Sequence, residues 1–93
     1  MENNIFTVTT IREDHDNRCV GWYPNLQQAM RVVLDNAGDI YEEGSYPYCV
    51  IESVPSGLYS FPREETWFEW TGGCYVQIPK PEIFKQIACF GIG

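Results

Sequence analysis

The stretch PNLQQAMRVVLDNAG, residues 24–38, constrains the fold more than any other part of the chain. Leu26, Ala29, Met30, Val33, Leu34 and Ala37 recur at i, i+3, i+4, i+7, i+8 and i+11, a continuous apolar stripe at helical spacing. Asn25 has the short side-chain oxygen that suits an N-cap, and Gln28 three residues later can reach back to it. Gly38 offers a left-handed residue as the stop. The pattern predicts a helix over residues 25–37, with Gln27, Arg31 and Asp35 on its solvated side. Nearly everything else reads as strand or turn, so the helix should cover one face of a sheet.

The strands follow from alternation and β-branching. Asn4–Ile11 places Phe6 and Val8 on one side and Ile5, Thr7, Thr9 and Ile11 on the other. A charged turn, REDHDN, leads to a second strand over Arg18–Tyr23, with Gly21 marking a bulge or the close approach of another backbone. Tyr48–Val54 is nearly continuous in apolar residues, which predicts a central strand covered on at least one face. Pro55-Ser56-Gly57 reads as a turn. Glu65–Trp70, Gly72-Gly73 and Cys74–Ile78 form the clearest hairpin, with Trp67 facing opposite to Phe68 and Trp70. Pro81–Ile87 suits two helical turns, and Ala88–Ile92 a short final strand. The expectation is a single α+β domain over residues 1–93: an antiparallel sheet of five to six strands with one main amphipathic helix packed on one face.

A chain of 93 residues can bury only a modest core, so that core must be dense in large side chains. Three Trp, six Tyr and five Phe meet that need and leave a surplus that hints at a binding surface. Thirteen acids against six bases give a net charge of −7, which argues against a duplex-DNA face and against an anionic membrane surface. The charge serves solubility or an acidic rim for a basic partner. No apolar run is long enough to span a bilayer.

Cys19, Cys49, Cys74 and Cys89 lie in apolar strand-like runs without CxxC spacing, and the chain has one His, so no zinc site and no metal is expected. The cysteines read as reduced, buried small hydrophobes of a cytosolic protein, two disulfides being the alternative. The N-terminus lacks the pattern of a signal peptide.

No residue set dictates a chemistry. His15 stands among carboxylates in a turn that does not exclude water. Glu42-Glu43 and Glu64-Glu65 read as solvated surface pairs. GxSxG, HExxH and phosphate-cradling glycine loops are missing, so no cofactor is expected. The distinctive feature is aromatic: Tyr41, Tyr46, Tyr59, Phe61, Trp67 and Trp70, with Arg63 beside them. Such a set is either core or a surface for a protein or a stacked ligand.

The order VGWYPNLQQAMRVVLDNAGDIYEEGSYPYCVIESVPSGLYS, then WFEW, then KPEIFKQIACFGIG resembles a group of small uncharacterised proteins of bacteria and their phages, from Cys19 onward. The resemblance implies a cytosolic protein of a bacterium, prophage or phage, and small acidic phage proteins act by stoichiometric binding to a host factor. The resulting expectation is a non-enzymatic binding protein, a counter-defence inhibitor that holds a host protein through segment 41–70. The alternative is a protein that sequesters a nucleotide signal between aromatics, with Arg63 or Arg18 on the phosphates. Exposed apolar strands such as ACFGI or CYVQI could also pair two copies across a two-fold axis.

Overall fold

The computed structural model describes residues 4–14, 16–55 and 64–84. Five strands, β1 (Asn4–Ile11), β2 (Asn17–Tyr23), β3 (Tyr48–Pro55), β4 (Glu64–Thr71) and β5 (Cys74–Ile78), form one sheet in the order β2-β1-β3-β4-β5. Every pairing is antiparallel. One helix, α1 (Leu26–Leu34), packs on one face. The protein is therefore α+β, as the periodicities predict.

The apolar run of β3 has the reason expected of it. Cys49, Val50, Ile51, Glu52, Ser53 and Val54 are all buried, because β3 sits at the middle of the sheet. On the helix side, Val8, Cys49, Ile51, Phe68 and Tyr75 pack against Ala29, Val33 and Ile40. On the opposite side, Ile11, Val50 and Trp67 pack with Phe84. Phe84 lies in a single 3₁₀ turn, Glu82–Phe84, where two helical turns were expected from Pro81. The remainder of that segment, the expected final strand 88–92 and the turn after Pro55 lie outside the described residues.

Gly72 and Gly73, with φ of 66° and 96°, join β4 to β5. Two successive positive φ values are what a type I′ turn requires, and glycine supplies them without strain.

The helix is shorter than its stripe. Asn25 caps it as expected, its Oδ1 accepting from the Gln28 backbone N–H at 2.8 Å. The C-terminus, however, closes on Asn36 and not on Gly38. Asn36 takes φ 47°, its N–H donates to Val33 O at 3.1 Å, and Ala37 N–H donates to Val32 O at 3.0 Å. These are the two bonds of a Schellman closure, and asparagine is the residue after glycine that tolerates the left-handed position. Leu34, the last residue of the helix and part of the expected stripe, is a surface residue, 48% exposed.

Candidate functional site

The aromatic residues picked out from sequence do not form one surface. Alternation along β4 sends Trp67 to one face of the sheet and Phe68 and Trp70 to the other. Trp67 is buried, stacked on Phe84 with ring centroids 5.3 Å apart, and its Nε1–H donates to Glu65 Oε1 at 2.9 Å. Lys80 holds the same carboxylate at 3.1 Å. Glu65 is thus a structural partner and not a solvated acid, and Trp67 has no face left for a partner molecule. Tyr46 is buried as well, although it precedes β3 in an irregular stretch. Of the two readings open for these side chains, core or contact surface, their burial gives the first. Tyr59, Phe61 and Arg63 lie outside the described residues, as does His15.

Tyr41 and Trp70 do come together. Their rings stack at 3.8 Å with an interplanar angle of 10°, and Tyr75 meets both edge-on at 6.0 Å and 5.1 Å. The Tyr75 hydroxyl donates to the backbone carbonyl of Tyr46 at 2.6 Å inside the core. Burial pushes the Tyr75 phenol well above its ordinary range, and the Cys49 thiol likewise. Neither is a nucleophile at neutral pH. Cys19 and Cys74 are free and exposed, which corrects the expectation that they are buried.

One asparagine sets Tyr41 in place. Asn36 Oδ1 accepts from the Tyr41 backbone N–H at 3.0 Å, its Nδ2 donates to Asp39 Oδ1 at 3.2 Å, and its carbonyl accepts from Asp39 N–H at 2.9 Å. Beyond Tyr41, a 3₁₀ turn (Glu42–Gly44) brings Glu42 to Arg18, 2.7 Å away.

The Arg18 guanidinium carbon lies 5.0 Å from the centre of the Tyr46 ring, and that of Arg12 is also at 5.0 Å. Two guanidiniums on one tyrosine explain why Tyr46 is buried without being inside the sheet core. Arg18 is neutralised by Glu42, whereas Arg12 has no ion-pair partner among the described residues. Arg12 borders a cleft of about 440 Å³ with Glu13, Asp14, Tyr41, Gly44, Ser45 and Pro47.

The most exposed large apolar side chain among the described residues is one that sequence reasoning passed over: Trp22, 64% exposed. Its position follows from a bulge. Val8 pairs with Gly21 but Thr9 pairs with Cys19, so Val20 is the extra residue on β2. A one-residue slip exchanges the faces of every side chain beyond it. Val20 and Tyr23 both pack toward the helix-side core, and Trp22, opposite Thr7, is turned to the other face. In an unbulged strand, Trp22 would share the buried side with Val20. Gly21 was the available signal: a Cβ there would stand 3.1 Å from the Tyr23 hydroxyl, which folds back over it.

Among the described strands, β2 is also an edge of the sheet. On its helix side, Tyr23 borders a groove of about 390 Å³ with Gln28, Arg31, Val32, Asp35 and Ala37. No family model matches this chain, and no curated protein or solved structure matches it. Among the described residues, no helix is long and apolar enough to cross a membrane.

Proposed function

We propose that the chain is a non-enzymatic binding protein of a bacterium, prophage or phage that acts by stoichiometric occupation of a host protein, and that the contact is made by the β2 edge. The observation that carries this is Trp22. Tryptophan is the residue most enriched among interface hot spots, and the bulge spends a register slip on turning it outward while the smaller Tyr23 goes in. An edge strand offers unpaired backbone donors and acceptors to an extended partner segment. Such a segment would set alternate side chains on Trp22 and in the groove beside Tyr23.

The test is affinity isolation of the wild-type protein and of Trp22→Ser from host cells, with the complex measured for stoichiometry by native mass spectrometry. Trp22→Ser should melt within a degree or two of wild type, since so exposed a ring makes few core contacts. It should also lose the partner, by at least about tenfold in Kd if the ring is a hot spot. A variant that folds normally and holds the same partner with unchanged affinity removes the β2 edge from the proposal.

A further inference from the structure

We infer that the outward ridge of α1 is a self-association surface, on which a second copy of this chain docks its own α1 antiparallel across a two-fold axis. This surface is separate from the β2 edge and does not depend on it. Ala29 and Val33 turn the inner side of the helix to the sheet, where both are buried. Gln27, Met30, Arg31, Leu34 and Asp35 border a groove of about 590 Å³ on its outer side. Their spacing, i, i+3, i+4, i+7 and i+8, sets them on one face. Leu34 is exposed and Met30 is half-buried. Arg31 and Asp35 stand exposed one turn apart and make no ion pair with each other. Asp35 is also the C-cap residue, where a carboxylate meets the negative end of the helix dipole and is unfavourable without a cation beside it.

A closed two-fold contact needs a patch that is its own complement: where residue i touches residue j of the other copy, j must touch i. The ridge meets that condition twice. With the axis level with Val32, Met30 of each copy lies against Leu34 of the other, apolar on apolar. The same axis carries Arg31 of each copy toward Asp35 of the other, so both charges find their opposites and Asp35 gains its cation. The apolar pairs fall along one flank of the seam and the charged pairs along the other. A parallel pairing sets each residue level with its own copy and loses both matches. The size of the seam limits its strength. Nine helical residues span about 14 Å, so the buried area falls below the roughly 1,000 Å² of a lasting interface. The dimer is therefore transient, with a Kd between about 1 µM and 1 mM. Trp22 lies on the face of the sheet away from α1, and the dimer leaves it free.

The experiment is sedimentation velocity of the whole protein from about 5 µM to about 1 mM, in about 0.15 M salt, where the repulsion between two chains of net charge −7 is screened beyond about 8 Å. Wild type should pass from monomer to dimer within that range. Leu34→Ser, Arg31→Asp and Asp35→Arg should each weaken the dimer at least about tenfold. Each should keep the wild-type circular dichroism, because all three side chains are exposed. The double variant, Arg31→Asp with Asp35→Arg, should regain the dimer. An equimolar mixture of the two single charge variants should regain it too, since both arrangements restore opposite charges across the axis. Trp22→Ser should dimerise as wild type does, so failure of this surface and failure of the β2 edge are distinct results. The inference is overturned if wild type stays monomeric at about 1 mM. It is equally overturned if Leu34→Ser leaves the dimer unchanged, or if the mixture associates no better than the single variants.

Discussion

Asn36 both closes α1 and positions Tyr41, and two substitutions separate its roles. Its backbone is left-handed at φ 47°, and its side chain bonds the Tyr41 N–H and Asp39. Asn36→Gly keeps the backbone conformation free of strain and deletes the side-chain bonds. The Tyr41 N–H bond is partly buried, so its loss should cost about 1 kcal/mol, with the exposed Asp39 contact adding little. Asn36→Ala deletes the same bonds and adds a Cβ in the left-handed region, a further cost of about 1 kcal/mol. In a domain of this size, each 1 kcal/mol moves the melting temperature by about 4–8 °C. Thermal and urea unfolding should therefore rank the proteins wild type, then Gly, then Ala, in two similar steps. Near-ultraviolet circular dichroism should weaken in both variants, because Tyr41 stacks on Trp70. If Ala and Gly melt together, the left-handed closure of the helix at Asn36 is wrong. If Gly melts with wild type, the bond to Tyr41 carries no weight and the placement of Tyr41 needs another cause.

Two further outcomes test the interior. Thr9 is fully buried and its hydroxyl has no hydrogen-bond partner among the described residues, so the isosteric Thr9→Val should stabilise the protein by about 1 kcal/mol in urea unfolding, and a loss of stability would show that the hydroxyl is bonded. High pH should destabilise the fold. The native state keeps protons on Cys49 and Tyr75 that the unfolded chain gives up above 9.0 and 10.0, so the unfolded state binds fewer protons and stability falls as pH rises. Each group steepens the fall by about 1.4 kcal/mol per pH unit once its unfolded value is passed. Cys49→Ala should delay the onset of the fall to the tyrosine range, and an unchanged onset would sink the assignment to the thiol.

The sheet and helix are legible in the sequence because burial on one side imposes a period, of two in β1 and β4 and of helical length in α1. The Gly-Gly hairpin is legible because few residues tolerate two positive φ values in succession. The end of α1 is misread because the stripe continues to Ala37, one residue after Asn36 has already closed the helix. Which aromatic rings are exposed is not legible for a different reason. Composition counts aromatic rings but not what lies on top of them. Trp67 is covered by Phe84 and Lys80, and Tyr46 by two arginines from the far ends of a charged turn, none of which is adjacent in sequence. Trp22 is missed because a single inserted residue reverses the faces, and the sequence marks that event only by a glycine.

The two edges of the sheet formed by the described strands differ in ways that support the proposal of Trp22 over the hairpin. Exposed edges invite pairing with other chains, and proteins blunt the ones they do not use. β5 is five residues long and runs directly into Pro79, Lys80 and Pro81, which cannot extend the ladder or which repel a second strand. β2 is seven residues long and ends on an outward tryptophan, an inward tyrosine and a groove between that tyrosine and the helix. A bulge alone would serve to blunt this edge as well. The slip brings both Val20 and Tyr23 to the helix-side core and leaves Trp22 on the other face, exposed. The hairpin aromatics show the opposite economy, each ring stacked on or edge-packed against another. Recognition is accordingly proposed at β2, on the exposed Trp22 ring.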